Sequence, residues 1–591
     1  MEGQTFMSAS PSANESRLAG VGNPFADSIV GTVWEPPLVD VPEIHAGVFA
    51  ELLRVVDARV QGRHDRCLLL YGNAGSGKTH LFRRLRLALE VRGEPFLPLS
   101  WIWMGTSPAM VWRYLRRNFA ADLVWRTVGG KSQLDHLLDT RREKLDQVRR
   151  RDLAVVLEHL AAGRHRRDAR AWLAGEDLPD AALERMGLAP SDADDATLED
   201  EARQIFEDLA ELIAPTPFVL CLDQLEALQA HPGDKNGLFT IGKLYASTYK
   251  IRNAVVIGCA QTGLLGELNQ ALDEAERDRY RPLVLLPLKD EEVRALVRAR
   301  LATEPEIAAR RPQGASEFWP IDMRRLLAQI VTPEGLTARR VLFECDRMFR
   351  RAQNVPGVEI SLEQFLRREF ESRAHDAASR LSPEASSDVL SDGLVRLLHV
   401  RGFPVTRERL PHWLDHEVRP AQGEPIGVAL VNGRPKALWH KLDKILHGWD
   451  PGERRVVLLR DVLHPLGPGA EGTRERFREL ERRGARCLAP PREALSALDA
   501  LRRLLAAAES GELSYQGESP PVQAVEEWIR QNIPDALSRL LDDLLAAGPH
   551  DALPHLLADY LGEEKVASVA MAAAALAATP EEVERCAREN H

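Results

Sequence analysis

Eight consecutive residues have the types and the spacing that bind phosphate groups. They are Gly72, Asn73, Ala74, Gly75, Ser76, Gly77, Lys78 and Thr79, which fit the pattern G-x-x-x-x-G-K-[ST] at every fixed position. Glycines let backbone N–H groups surround phosphate oxygens. A lysine at this position reaches the β- and γ-phosphates, and the threonine hydroxyl binds Mg²⁺. The sequence therefore predicts a site for ATP and Mg²⁺, with the next residue, His80, among the nucleotide contacts.

The segments on either side of this loop predict the elements that position it. Cys67–Tyr71 is a short apolar run typical of a buried strand. After the loop, apolar residues at helical spacing predict a helix over His80–Glu90. A helix that begins at the phosphates presents the positive end of its dipole to them. Strand, loop and helix thus follow in the order that phosphate binding requires.

A second chemical feature is Asp223, which ends the apolar run Phe218–Leu222. In a chain with a phosphate loop, an aspartate at the end of a strand holds the Mg²⁺ shell. Two further apolar runs follow, at Ala254–Ala260 and Leu283–Leu286. Continuous apolar runs separated by helices indicate a parallel sheet covered on both faces. The expected fold class is therefore α/β, with the parallel sheet of a P-loop NTPase.

The segment Val219–Glu226 resembles the second motif of bacterial AAA+ and STAND-type P-loop ATPases, in the branch related to origin-recognition ATPases. The resemblance extends over Asn23–Arg350. Within it, Asn23-Pro24-Phe25 is similar to the segment that opens the domain in that branch. Gly335–Arg340 is similar to the start of the helix that has the second sensor arginine. The resemblance implies an enzyme that hydrolyses ATP with Mg²⁺.

The resemblance also implies roles for single residues. In chain order they are Gln261 as a polar sensor, Arg279 or Arg281 as an arginine finger, and Arg339 or Arg340 as a sensor of the γ-phosphate. An arginine finger that acts in trans contacts the nucleotide of a neighbouring subunit. The resemblance therefore implies a homo-oligomer that forms with ATP. The other interpretation of Arg279 and Arg281 is a charged surface turn.

The chain departs from the family pattern in two places. Gln224 follows Asp223 where the family has glutamate, and a glutamine can orient a water molecule but cannot take its proton. Glu226 is the nearest carboxylate, so it is the expected base, and hydrolysis is expected to be slow. Lys78 and Asp223 are also far apart in the sequence, which predicts a helical insertion between them.

Composition and pattern divide the chain into six expected regions. They are a disordered N-terminus (1–22), an ATPase core (23–288) with its helical insertion (about 105–208), a helical lid (289–380), a candidate winged-helix unit (388–420), a small α/β domain (421–511) and a helical, winged-helix-like C-terminal domain (522–591). Winged helices are common additions to origin-recognition ATPases, so both candidate units agree with the resemblance.

Two features of the C-terminal half are open to opposite interpretations. The segment Val389–Leu414 is either a DNA-binding unit or an ordinary helical linker; its candidate DNA contacts are Arg396, Arg401, Arg407 and Arg409. Asp461 follows an apolar run, as the metal-binding carboxylates of nucleases do. No Glu-x-Lys partner follows it, which favours an α/β interaction module. The last helix is acidic and would repel phosphates, so it predicts a protein contact.

The overall composition limits the classes of function. The 591 residues have a formal net charge of -11, which argues against a broad basic surface for nucleic acid. Six scattered cysteines without a C-x-x-C pair are typical of a reducing compartment. The longest apolar stretch, Val566–Ala578, is too short to cross a bilayer. The expected location is the cytoplasm, without membrane contact.

Two functions agree with these observations. The first is an ATP-hydrolysing oligomeric switch that acts on DNA or a DNA-associated complex, in mobile-element or phage defence as the resemblance implies. The alternative is a slow nucleotide-gated scaffold or signalling ATPase that recruits a protein effector without binding DNA. Gln224 and the acidic net charge favour the alternative. The candidate DNA segment and the finger arginines favour the first.

Overall fold

A computed structural model describes most of the chain. The described residues are 17–26, 33–35, 39–92, 97–176, 178–190, 193, 195–229, 234–329, 336–353, 361–381, 383–406, 410–420, 423–433, 435–464, 466, 470–509, 511, 513–516, 518–546, 568–575 and 579–589. The predicted disordered N-terminus lies mostly outside these residues.

The N-terminal half is built on a five-stranded parallel sheet. The strands of this half are β1 (Cys67–Tyr71), β2 (Leu99–Trp103), β3 (Thr127–Val128), β4 (Lys131–Ser132), β5 (Phe218–Asp223), β6 (Ala254–Ala260) and β7 (Tyr280–Val284). The order across the sheet is β2-β5-β6-β1-β7, and β3 pairs with β4 in a separate hairpin. All neighbours in the five-stranded sheet are parallel.

The predicted parallel sheet is confirmed, and its central strands are the apolar runs of the sequence. Strands β5 and β6 are buried along their whole length, as expected for strands covered on both faces. The fourth predicted strand, Leu283–Leu286, is shifted: β7 begins at Tyr280 and ends at Val284. It is an edge strand whose side chains alternate in burial, so its apolar residues do not mark its ends. Strand β2, which includes the polar Ser100, was not predicted.

Helices flank this sheet. In chain order they are α1 (Ala46–Val60), α2 (Lys78–Arg92), α3 (Val111–Trp125), α4 (Gln133–Arg141), α5 (Arg151–Ala161), α6 (Arg166–Ala174), α7 (Asp180–Met186), α8 (Asp195–Ile213), α9 (Lys235–Tyr249), α10 (Thr262–Ala271) and α11 (Glu274–Arg277). Helices α3 to α8 lie between β2 and β5, in the region of the expected insertion. Edge-on and tilted ring contacts among Phe119, Phe206 and Phe218 join α3 and α8 to the sheet.

Five helices follow the sheet in the expected lid region. They are α12 (Asp290–Leu301), α13 (Pro305–Arg310), α14 (Met323–Gln329), α15 (Ala338–Ala352) and α16 (Leu362–Arg380). The N-terminal segment packs on them, because Phe25 contacts Phe349 edge-on with ring centroids 6.2 Å apart. Helix α16 instead contributes Leu366 and Phe370 to the hydrophobic core of the C-terminal half.

The C-terminal half has a second five-stranded sheet. Its strands are β8 (Val405–Thr406), β9 (His416–Val418), β10 (Ile426–Leu430), β11 (Arg455–Leu459) and β12 (Arg486–Leu488), in the order β12-β11-β10-β9-β8. Strands β10, β11 and β12 are parallel, and β8 and β9 are antiparallel to their neighbours. The helices of this domain are α17 (Pro383–Val400), α18 (Pro435–Gly448), α19 (Glu471–Arg482) and α20 (Arg492–Glu509).

The candidate winged-helix unit, 388–420, shares a sheet with the strands of the α/β domain. It contributes most of α17 and the strands β8 and β9 to the α/β domain, because β9 pairs with β10. Beyond this domain lie α21 (Val522–Gln531), α22 (Asp535–Leu545), α23 (Val569–Ala575) and α24 (Pro580–Glu589). Helices α21 and α22 share the hydrophobic core of α20. Of the helices in the described ranges, none combines the length and the apolar character that a bilayer crossing requires.

Candidate functional site

The phosphate loop connects β1 to α2, and α2 begins at Lys78. Lys78 Nζ donates hydrogen bonds to the carbonyl oxygens of Gly72 at 2.7 Å and Asn73 at 3.2 Å. The ring of His45 lies with Nε2 2.8 Å from the carbonyl oxygen of Ser76. These contacts fix the backbone of the loop at its beginning and its middle. The strand–loop–helix arrangement predicted for phosphate binding is therefore present.

Thr79, at the start of α2, lies beside Asp223, the last residue of β5. Thr79 Oγ1 donates a hydrogen bond to Asp223 Oδ2 at 2.9 Å, and the indole of Trp101 donates to the same oxygen at 3.1 Å. Burial raises the pKa of Asp223, and the hydrogen bond from Thr79 opposes this rise. A hydroxyl and a carboxylate oxygen beside a phosphate loop are suitable ligands for Mg²⁺, which prefers oxygen and keeps several waters.

Glu226 is the unpaired acid of the site. It lies in a single 3₁₀ turn, Leu225–Leu228, directly after β5, and is 8 % exposed. Neither of its carboxylate oxygens has a close side-chain hydrogen-bond partner among the described residues, and the backbone N–H groups of Glu226 and Gln261 approach the carboxylate and lower its pKa. Burial raises the pKa of Glu226 to about 7, and the positive charge of Lys78 opposes the rise. A carboxyl group with a pKa near the operating pH is suited to general base catalysis.

Gln224, which replaces the family glutamate, is held by a tryptophan. Its backbone has a positive φ of 56°, and its side-chain oxygen accepts a hydrogen bond from the Trp103 indole at 2.7 Å. The amide oxygen that would orient a water molecule is thus already bonded to the protein. This contact supports Glu226 rather than Gln224 as the group that acts on water.

Both predicted sensors contact the C-terminal half of the chain. The side-chain amide of Gln261 donates to the carbonyl oxygen of Glu509, the last residue of α20. The guanidinium of Arg339 donates to the carbonyl oxygen of Gly511. The backbone N–H of Arg339 donates to the carbonyl oxygen of Gly75 at 3.3 Å, which places the start of α15 on the phosphate loop. Loop, sensors and C-terminal half therefore meet at one place.

Gly511 lies directly against the phosphate loop. Its φ is +63°, and a Cβ built on it would lie 2.2 Å from the Cβ of Ala74. No side chain other than hydrogen fits this contact without movement, and the left-handed backbone also favours glycine. Beside it, Arg340 pairs with Glu518 at 2.8 Å. The segment that follows α20 thus packs closely on both the loop and the lid.

The remaining predicted site residues lie in other environments. Arg281 forms an ion pair with Glu51 of α1, so its guanidinium is engaged within the same chain. Arg279 is partly exposed and donates no side-chain hydrogen bond to a described residue, which makes it the better finger candidate. His80 Nε2 lies 2.9 Å from Asp40 Oδ1. That contact ties α2 to the segment before α1.

Arg396 is not available to DNA. It is 2 % exposed and forms ion pairs with Asp392 at 3.3 Å and Glu509 at 3.0 Å. Arg401 is exposed and donates to the carbonyl oxygen of Arg530 at 3.4 Å. Arg407 and Arg409 lie outside the described residues. Of the two candidate DNA contacts that the structure describes, Arg396 is therefore buried and only Arg401 is exposed.

Several residues of the site were not predicted from the sequence. Trp101 and Trp103 alternate along β2 and hold Asp223 and Gln224, and two aromatic residues at i and i+2 were the available signal for a strand. Gly511 and Glu509 gave no signal, since their role depends on how the C-terminal half packs on the core.

Comparisons with known proteins find one family model and several solved structures to which the chain is similar. Residues 47–234 match the family model of the AAA ATPase domain. The chain is similar to the Orc1 protein of Aeropyrum pernix in complex with DNA, at 15% identity over 62% of this chain and 76% of that chain, with a TM-score of 0.29. It is similar to Cdc6p of Pyrobaculum aerophilum, at 14% identity over 64% of this chain and 80% of that chain, with a TM-score of 0.32. It is also similar to Drosophila ORC bound to DNA, at 12% identity over 64% of this chain and 77% of that chain, with a TM-score of 0.27.

No curated protein sequence matches the chain. The N-terminal half contains an AAA ATPase domain with a complete phosphate loop, so this part of the predicted resemblance is confirmed. The match ends at residue 234, and the lid and the C-terminal half lie beyond it.

Proposed function

We propose that the protein is an ATP-hydrolysing switch in which the bound nucleotide controls the position of the C-terminal half. The observation that carries this proposal is that Gln261 and Arg339, the predicted sensors, are both bonded to that half, through Glu509 and Gly511. A γ-phosphate is a charged acceptor, and charge-assisted hydrogen bonds are about twice as strong as neutral ones. ATP therefore competes with the two carbonyl oxygens for the sensors.

In this proposal the phosphate loop binds the nucleotide, and Glu226 takes part in the hydrolysis. The loop amides and Lys78 hold the phosphates, and Thr79 and Asp223 hold Mg²⁺, which neutralises phosphate charge when bound. Glu226 accepts the proton of the attacking water, as its unpaired oxygens and raised pKa allow. When the γ-phosphate has left, Arg339 and Gln261 return to Gly511 and Glu509. Hydrolysis thus resets the switch.

We further propose that the ATP-bound form assembles into a homo-oligomer. Arg279 is the candidate for the finger that reaches a neighbouring site, since Arg281 is paired with Glu51. The released C-terminal half then presents its surface to a protein partner. The setting in mobile-element or phage defence rests on the family resemblance alone.

We favour a protein target over DNA. The burial of Arg396 removes one of the four candidate DNA contacts, and the net charge of -11 is unfavourable for binding phosphates. Direct action on DNA is the alternative outcome of the test below.

The test is ATP turnover by the purified protein, with and without duplex DNA, at two protein concentrations. The proposal expects slow turnover that rises with protein concentration and does not change with DNA. Stimulation by DNA, together with salt-dependent retention on DNA, would establish the DNA-acting alternative. Absence of turnover under all conditions would contradict the hydrolytic switch.

A further inference from the structure

Arg396 connects the C-terminal half to the turn that bears Glu226. Its guanidinium donates to the carbonyl oxygen of Gln229 at 2.7 Å and to that of Ala227 at 3.3 Å. These are the residues one and three positions after Glu226. The turn itself is short, with hydrogen bonds from Ala227 N to Gln224 O and from Gln229 N to Glu226 O. The guanidinium of Arg396 thus binds the carbonyl oxygens at the C-terminal end of this turn.

The guanidinium is itself fixed by two acids of the C-terminal half. Asp392, one helical turn earlier on α17, accepts from Nε at 3.3 Å, and Glu509 at the end of α20 accepts through both oxygens at 3.1 and 3.0 Å. The side chain of Arg396 is buried, so these bonds are made away from solvent. A planar fork that makes this many directed bonds cannot be replaced equally by lysine.

Glu509 joins this network to the sensor. Its carboxylate holds Arg396, and its backbone carbonyl oxygen accepts from Gln261. One residue at the end of α20 is therefore connected to the turn after β5 through Arg396 and contacts Gln261, the residue after β6, directly. The position of Glu226 relative to Gln261 is then set by the C-terminal half and by the sheet together.

We propose that Arg396, held by Asp392 and Glu509, is a positioning residue for ATP hydrolysis that acts through the Glu226 turn. This inference rests on the proposed role of Glu226 as base. Arg396 touches neither nucleotide nor water. It fixes the backbone that aims the carboxylate, and a displacement of about 1 Å in a catalytic group can cost about 100-fold in rate. Movement of the C-terminal half would therefore change hydrolysis as well as sensing.

The test measures ATP affinity and single-turnover hydrolysis separately in the full chain. Arg396→Lys keeps the charge but loses the fork, and Glu509→Gln keeps the shape but weakens the pair. We expect Arg396→Lys to lower the hydrolysis rate about 10- to 100-fold and Glu509→Gln less, with ATP affinity changed by less than about twofold. Arg367→Lys, an exposed arginine on α16, is the matched control and should have no effect.

A double variant shows whether Arg396 acts through Glu226. In the Glu226→Gln background, Arg396→Lys should cause no further loss of rate, because the group it positions is gone. A full additional loss there, an equal loss of ATP affinity, or unchanged rates in both Arg396→Lys and Glu509→Gln would overturn the positioning role. Unchanged turnover in Glu226→Gln alone would instead contradict the proposed base, and the role of Arg396 with it.

Discussion

In each of the two sheets a buried acid follows one of the parallel strands. The acid is Glu226 after β5 and Asp461 after β11, and the two have different surroundings. After β11, Asp461 accepts from Asn432 Nδ2 at 2.7 Å and from Leu463 N at 2.9 Å, and His464 Nδ1 lies 2.9 Å away. After β5, neither oxygen of Glu226 has a close side-chain partner among the described residues. Asp461 is thus bonded to the side chains and backbone of its own surroundings, whereas the buried carboxylate of Glu226 has no close side-chain partner in the described part of the chain and is approached only by the backbone N–H groups of Glu226 and Gln261.

The difference teaches how to distinguish structural from functional acids at the ends of strands. A buried polar group without a partner costs free energy, so it persists where function requires it. The bonds of Asp461 join the end of β11 to the segment after β10, which gives it a structural role. The comparison supports an interaction module for the second sheet and a reacting site for the first.

The largest expected effect is on nucleotide binding. Lys78→Ala removes the ammonium that reaches the phosphates, and we expect ATP affinity to fall more than about 100-fold while the fold is retained. Titration with a fluorescent ATP analogue measures this change. Lys131→Ala, which removes an exposed lysine paired with Asp139, is the control. Normal binding by Lys78→Ala would refute the phosphate-loop assignment.

The second effect concerns the unpaired acid. Glu226→Gln keeps the size of the side chain but cannot accept a proton, so turnover should fall about 10²- to 10⁴-fold with ATP affinity unchanged. Steady-state phosphate release and equilibrium binding provide the two readouts. Turnover equal to that of the wild type would exclude Glu226 as the base.

The same substitution should change the pH dependence of stability. Burial raises the pKa of Glu226 from 4.5 to about 7, so the folded protein retains a proton that the unfolded chain releases. Wild-type stability therefore falls as pH rises from about 4.5 to 7, by an upper bound of roughly 3 kcal/mol. Glu226→Gln should gain stability relative to wild type between pH 5 and 8, as measured by urea unfolding without nucleotide. A constant difference across this range would contradict the raised pKa.

The smallest effect should appear at the other sheet. Asp461→Asn replaces an acceptor of several hydrogen bonds, so it should lower stability by about 1–3 kcal/mol and leave ATP turnover unchanged. Thermal unfolding and phosphate release check both parts. The opposite pattern, with turnover lost and stability kept, would make Asp461 a functional acid and remove the distinction between the two sheets.

The sequence predicted the part of the fold that follows from local patterns. The loop Gly72–Thr79, the strands β1, β5 and β6, and the acids Asp223 and Glu226 could all be located, because each depends on a few adjacent residues. Strand β2 could not, since its five residues include Ser100 and carry no long apolar run. The predicted position of the edge strand β7 was shifted by a few residues. The strand includes polar as well as apolar residues, so its ends cannot be read from the apolar run alone.

The long-range part of the site could not be predicted. Arg396 appeared in the sequence as one of several basic residues on a helix, and only packing shows that it is paired with Glu509. Gly511 is the last residue of the predicted small α/β domain, and no sequence pattern relates it to Ala74. Such contacts join residues more than a hundred positions apart, and no local pattern specifies them.

The most direct test of the switch is amide hydrogen exchange in the segment after α20. In the structure the N–H groups of Gly511, Leu513 and Tyr515 donate to the carbonyl oxygens of Ala508, Ala507 and Glu518. Glu226→Gln protein, which should bind ATP without hydrolysing it, would be compared with ATP and with ADP. We predict faster exchange of these amides with ATP than with ADP, because the γ-phosphate takes Arg339 from Gly511. Equal or slower exchange with ATP would contradict the proposal that nucleotide releases the C-terminal half.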